Sequence, residues 1–158
     1  MSTMNVLICQ QPKELVWKQR EIPIPGDNEA LIKIKSVGIC GTDIHAWGGN
    51  QPFFSYPRVL GHEICGEVVG LGKNVADLKN GQQVAVIPYV ACQQCPACKS
   101  GRTNCCEKIS VIGVHQDGGF SEYLSVPVAN ILPADGIDPQ AAALIEPFAI
   151  SAHAVRRA

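Results

Sequence analysis

From Glu29 to Val37 apolar and polar side chains alternate, with Ile32 and Ile34 set against Lys33 and Lys35. A period of two marks a strand with one buried face. Met4–Gln10 and Glu14–Arg20 predict two further strands around the turn Gln11-Pro12-Lys13. Ile64–Leu71, Gln82–Ile87 and Phe120–Val126 predict three more, with turn residues Gly72-Lys73-Asn74 and Lys79-Asn80-Gly81 between the first two. Helical signals are sparse. Asp43–Trp47 predicts one short turn. Asp138 can cap and Pro139 can open a helix over Gln140–Leu144. Pro147 is expected to break or kink it, with helix resuming over Phe148–Arg157. The final residues carry no stop signal, so this helix is expected to be cut mid-course.

Fifteen glycines and eleven prolines in 158 residues favour a turn-rich, mainly β domain over a helical one. A net charge of −1 gives no electrostatic reason to expect nucleic acid or an anionic membrane as partner. The N-terminus lacks a basic segment followed by a long apolar one, and runs such as Ala141–Ile145 are far short of the roughly 20 residues of a membrane span. The expected location is cytoplasmic. In a reducing compartment, eight cysteines point to metal rather than disulfides.

Cys92, Cys95, Cys98 and Cys106 are spaced C-x2-C-x2-C-x7-C. A tight loop can turn three such thiolates to one centre, and the fourth returns from downstream. Four thiolates and no open position make a closed, structural zinc site. Pro96 and Gly101 supply the turns, and Cys106 is favoured over its neighbour Cys105 as the fourth ligand. A zinc ribbon acting on nucleic acid is disfavoured by the net charge and by only Lys99 and Arg102 nearby.

A second constellation is mixed. Cys40 follows the clearest strand, His62-Glu63 comes about twenty residues later, and Glu146 stands far downstream. Thiolate, imidazole and carboxylate together can hold a zinc ion that keeps a place for substrate. Each also has a plainer reading: a core cysteine, a surface His-Glu pair, a solvated acid in a first helical turn.

Five segments occur here in the order found in the medium-chain zinc dehydrogenases. They are Gly38-Ile39-Cys40-Gly41-Thr42-Asp43-Ile44-His45, Gly61 to Gly70, the four-cysteine loop, Asp117 to Tyr123, and Ala143-Leu144-Ile145-Glu146-Pro147. The chain resembles that family over nearly its whole length, and its Glu-Pro ending is similar to the sorbitol, threonine and sugar-acid branch. The resemblance implies an irregular GroES-like β-barrel over residues 1–145. It also implies that 146–158 begin the helix leading to a dinucleotide-binding domain that this chain lacks. Two zinc ions are implied, one catalytic and one structural, with NAD or NADP acting through the absent domain. Cys40 and His62 would bind the catalytic zinc, Glu63 would bind it or swing aside, and Glu146 would ligate it or hold its water. Thr42 would contact the substrate oxygen, Asp43 would orient His62, and His45 would pass the proton to solvent. The implied partner is a small-molecule alcohol, a sugar acid or polyol, and the full-length protein would be a homo-oligomer. Ala46-Trp47 departs from the Tyr-Trp that sorbitol dehydrogenases often carry, which implies a different pocket.

Gly70-Leu71-Gly72 lacks the third glycine of a dinucleotide-binding turn and reads as a loop between strands. These residues alone are therefore expected to fold and hold zinc yet turn over nothing. A stand-alone zinc-binding module without activity is the alternative. Arg58 is a candidate partner for a substrate carboxylate by its place between the two zinc motifs.

Overall fold

A computed structural model describes residues 2–52 and 54–158. Strands β1 (Thr3–Gln11) and β2 (Glu14–Glu21) form an antiparallel hairpin. Strand β3 (Glu29–Gly38) leads into helix α1 (Gly41–Gly48), followed by β4 (Arg58–Val59), β5 (Glu63–Leu71), β6 (Gln83–Val86) and β7 (Tyr89–Val90). The cysteine loop contains α2 (Pro96–Lys99) and a 3-10 turn at Thr103–Cys105, and β8 (Ser110–Val111) closes it. Strand β9 (Tyr123–Pro127), β10 (Ile131–Pro133), α3 (Pro139–Ala143) and α4 (Ile145–Arg157) complete the chain. The architecture is mainly β with few short helices, as the patterning predicts.

Five strands pair in the order β10-β6-β5-β3-β9, and three in the order β2-β1-β4. Every pairing between neighbouring strands is antiparallel. The bridge between Val6 and Ser121 ties the smaller sheet to the approach of β9. Ala30 and Ile32 of β3 are buried while Lys33 and Lys35 are exposed, so the alternation read in the sequence is realised. These residues join Ile64, Val68, Val84, Val126 and Ile112 in the main core. A second cluster places Met4, Val6 and Ile8, alternating along β1, against Val59. Helix α3 approaches β5 and β6 through Ala142 and Ala143, packed on Cys65 and Ala85; small residues let the backbones come close.

Two expectations are revised. Pro147 does not interrupt α4. The helix begins at Ile145, and Pro147 lies in its first turn, where no intrahelical partner for an N–H is required. Helix α1 is eight residues long rather than a single turn, because Asp43 secures its start. The Gly70–Gly72 segment ends β5 in a turn whose Gly72 N–H donates to Glu29 O at 2.8 Å. A Cβ on Gly72 would come within 2.6 Å of Asp27 O, so a backbone crossing explains this glycine. Among the described residues no helix is long and apolar enough to cross a membrane.

Candidate metal centres

The β3–β5 register assembles the mixed cluster. It sets Gly38, the last residue of β3, opposite Glu63, the first of β5. Cys40 lies two residues beyond that pair on one arm, and His62 lies one residue before it on the other. One donor atom from each of Cys40, His62 and Glu63 lies within 4.8 Å of the others. His62 and Glu63 are buried, and Cys40 is partly so.

Asp43 fastens the two arms together. Its Oδ2 accepts the Cys40 N–H at 2.8 Å, and its Oδ1 accepts the Gly61 N–H at 3.0 Å. It is a buried carboxylate held by backbone donors from both segments that carry the clustered donors. His62 Nδ1 lies 3.8 Å from Asp43 Oδ1, beyond hydrogen-bond length. That nitrogen is buried and has no hydrogen-bond partner.

Glycines leave room for this arrangement at two places. A Cβ on Gly38 would fall 2.9 Å from Glu63 Cβ and 3.0 Å from its Cδ, and closer still to Oε2. The Glu63 carboxylate thus lies over the bare α-carbon of Gly38. Gly61, at φ 89°, passes against Gly113 and Gly118 backbone to backbone: a Cβ on Gly113 would meet Gly61 O at 2.7 Å. Only glycine adopts this φ cheaply and also admits such a crossing.

Thr42 and His45 are three residues apart on α1 and share a face. Thr42 is partly buried and His45 exposed. Glu146 lies outside the three-residue cluster, in the first turn of α4, where its Oε1 accepts a hydrogen bond from Tyr89 Oη at 2.6 Å. Sequence reasoning missed Tyr89; its only signal is its place three residues before Cys92. Burial pushes its phenol well above the ordinary value. The hydrogen bond to Glu146 and the negative charges of Glu146, Cys40 and Glu63 add to the rise. Arg58 is committed elsewhere, 3.6 Å from Asp117 and donating to Ser55 Oγ at 3.0 Å.

The second cluster sits in a lobe between β7 and β8. The sulfurs of Cys92, Cys95, Cys98 and Cys106 all lie within 4.8 Å of one another. Cys92 and Cys98 are 4.0 Å apart, close to the ~3.8 Å edge of a tetrahedron with ~2.3 Å zinc–sulfur bonds. Pro96 opens α2 directly after Cys95, and Gln93 and Gly101 turn the chain through φ 59° and 77°. Backbone N–H groups already point at the sulfurs: Cys95 N to Cys92 at 3.4 Å, Cys92 N to Cys106 at 3.3 Å and Lys108 N to Cys106 at 3.4 Å. The N–H groups of Gln94 and Cys95 draw the Cys92 thiol down to about 6. Burial, with the neighbouring thiols, pushes Cys98 up to about 12. Cys105 is exposed and stands apart from the four. Both donor sets fit zinc in type and spacing. The thiolate set is closed, and the thiolate–imidazole–carboxylate set supplies three donors.

The model for the alcohol dehydrogenase GroES-like domain matches residues 26–136. L-galactonate-5-dehydrogenase from Escherichia coli (strain K12) is 99% identical over 158 residues, which are 100% of this chain and 46% of that protein. An alcohol dehydrogenase from E. coli CFT073, solved with NADH, superposes with a TM-score of 0.89 at 41% identity, over 96% of this chain and 44% of that one. A zinc-binding dehydrogenase from Sinorhizobium meliloti 1021, solved with NADP, gives 0.92 at 37% identity, over 99% and 46%. The chain therefore spans about half the length of the relatives it matches. On the extent of that match and on its fold, this chain belongs to the alcohol dehydrogenase GroES-like domain family.

Proposed function

We propose that the chain is the catalytic portion of a zinc-dependent dehydrogenase that oxidises a secondary alcohol of a sugar acid. Residues 1–145 form the catalytic domain, and 146–158 begin the connection to a dinucleotide-binding domain. The observation that carries this reading is the cluster of Cys40, His62 and Glu63, drawn together by strand register and fastened by Asp43. A closed four-sulfur site alone would support only a structural role.

A zinc ion in the mixed site supplies Lewis acidity toward a hydroxyl oxygen, making its proton easier to lose. Cys40, His62 and Glu63 would hold the ion. Asp43 fixes the separation of the arms that carry them and faces His62 Nδ1, the buried nitrogen that lacks another partner. Thr42, partly buried on α1, would accept a hydrogen bond from the substrate hydroxyl and hand its own hydroxyl proton outward as it takes the substrate's. His45, exposed on the same face of α1, passes the proton to solvent. A nicotinamide cofactor held by the dinucleotide-binding domain would supply the hydride acceptor that lets the alcohol carbon become a ketone.

The substrate best supported is L-galactonate, oxidised at C5, because a protein carrying that activity in its name is 99% identical over the whole of this chain. NAD is favoured over NADP because the more identical of the two solved relatives carries NADH. Arg58 lies 3.6 Å from Asp117 and donates to Ser55 Oγ, so it is not a free cation for a hexonate carboxylate. The test uses the full-length protein, with elemental analysis and a panel of hexonates and polyols against both cofactors. Two zinc ions per chain with preferred oxidation of L-galactonate are expected. A single ion per chain, or two ions with no oxidation of any panel member, would overturn the reading.

A further inference from the structure

Tyr89 stands where three parts of the chain meet. Its backbone pairs with Val111 at the neck of the cysteine lobe. Its carbonyl accepts from Asn130 Nδ2 at 3.1 Å, and the same amide donates to Ile87 O at 2.8 Å. Asn130 is itself buried, so the backbone of Tyr89 is held from the interior while its side chain reaches a partly exposed surface. With Ile145, Ala149 and Ile150 of α4, the Tyr89 ring lines a cleft of about 240 Å³. Its hydroxyl donates to Glu146 Oε1, 57 residues away in sequence, at 2.6 Å. Glu146 meanwhile lies outside the group formed by Cys40, His62 and Glu63.

We propose that Tyr89 is a positioning residue that holds the Glu146 carboxylate off the mixed metal centre, leaving three protein donors there and room for the substrate. This inference rests on reading Cys40, His62 and Glu63 as a metal centre. A divalent cation attracts any mobile carboxylate within reach, and a fourth protein oxygen would occupy the place the substrate needs. A short hydrogen bond to an ionised acceptor, from a donor whose backbone is fixed at two points, opposes that collapse. Phenylalanine at position 89 keeps the ring in its cleft and removes only the hydroxyl. A role confined to tying α4 to the neck would change stability and leave the metal's ligands as they are.

The experiment uses full-length protein with zinc in the four-cysteine loop and cobalt(II) in the mixed centre. It reads the visible spectrum and the cobalt affinity against a chelator. E146Q is expected to leave the spectrum as in wild type, because Glu146 is not a ligand there. Y89F is expected to change the spectrum and tighten cobalt binding by about tenfold, the scale on which groups behind metal ligands act. The double variant Y89F/E146Q is expected to return to the wild-type spectrum. A changed spectrum in E146Q overturns the proposal without any variant of Tyr89. So does Y89F with a wild-type spectrum and affinity within twofold, or a Y89F effect that persists in the double variant. Failure of the parent reading is visible earlier, as wild-type protein that takes up no cobalt at the mixed centre, and it overturns both.

Discussion

Replacing Gly38 by alanine is the sharpest perturbation of the mixed centre that leaves every donor side chain in place. The added Cβ would sit 2.9 Å from Glu63 Cβ and 3.0 Å from Glu63 Cδ, where carbon pairs prefer about 3.5–4.0 Å. The Glu63 side chain must withdraw by roughly 0.5–1 Å, and its carboxylate by more, because Oε2 is the atom nearest the new methyl. Overpacking of this kind costs about 1–3 kcal/mol of stability. Displacing a donor should weaken metal binding at least tenfold, about 1.4 kcal/mol. Gly41 is the control. A Cβ there meets nothing within 4 Å, and its φ is not positive. Its replacement by alanine in the first turn of α1 should leave metal affinity unchanged and stabilise the helix by up to about 1 kcal/mol. Chelator competition and thermal melting of both variants provide the readout. Wild-type metal affinity in G38A, with G41A also unchanged, would refute the idea that the Glu63 carboxylate holds the ion from its place over Gly38.

Asp43→Asn replaces one carboxylate oxygen with an amide that cannot accept, so either Cys40 N–H or Gly61 N–H loses its partner. The expected loss is about 1–3 kcal/mol in denaturant unfolding, together with weaker metal retention. In the lobe, the buried side chains are Cys95, Cys98 and Cys106 themselves, so removing the ion should loosen the loop while the sheets stay folded. Limited trypsin digestion after chelation is expected to cut at Lys99, Arg102 and Lys108 first. Protection equal to that of the metal-loaded protein would contradict this. Lys35 hydrogen-bonds Glu67 across β3 and β5 at 2.7 Å and, with its charge, holds that carboxyl below its ordinary range. The pair's stabilisation is complete above that range and is lost as pH falls through the lowered value. The melting temperatures of wild type and Glu67→Gln should therefore differ slightly at neutral pH and converge in acid.

The long strands were legible because their information is local. Lys33 and Lys35 alternate with Ile32 and Ile34, and β3 follows that pattern whatever it pairs with. Strands β4, β7 and β8 have two residues each and exist only through partners distant in sequence, so no pattern announces them. Proline was misread at 147 because its cost depends on its place within a helix, and the start of α4 was not visible in the sequence. The cysteine spacing shows its grouping directly, since three of the four thiols fall within seven residues. The mixed cluster draws on segments about twenty residues apart, and its geometry comes from the Gly38–Glu63 pairing, which no local pattern encodes. The Tyr89–Glu146 bond spans 57 residues and has no signature beyond its two endpoints.

The neck of the lobe has a practical consequence for protein engineering. The excursion from Ala91 to Ile109 departs and returns on two adjacent antiparallel strands, so its ends are only about 5 Å apart. A short hairpin can span that gap. Val90 and Ile112, which pack into the main core, mark the limit of what can be exchanged. Everything between Val90 and Ser110 is in this sense a cassette: shortening or swapping it is expected to leave the main core closed, though Thr103, Asn104 and Ile109 share a cleft with Ile150 of α4 that a replacement must also fill.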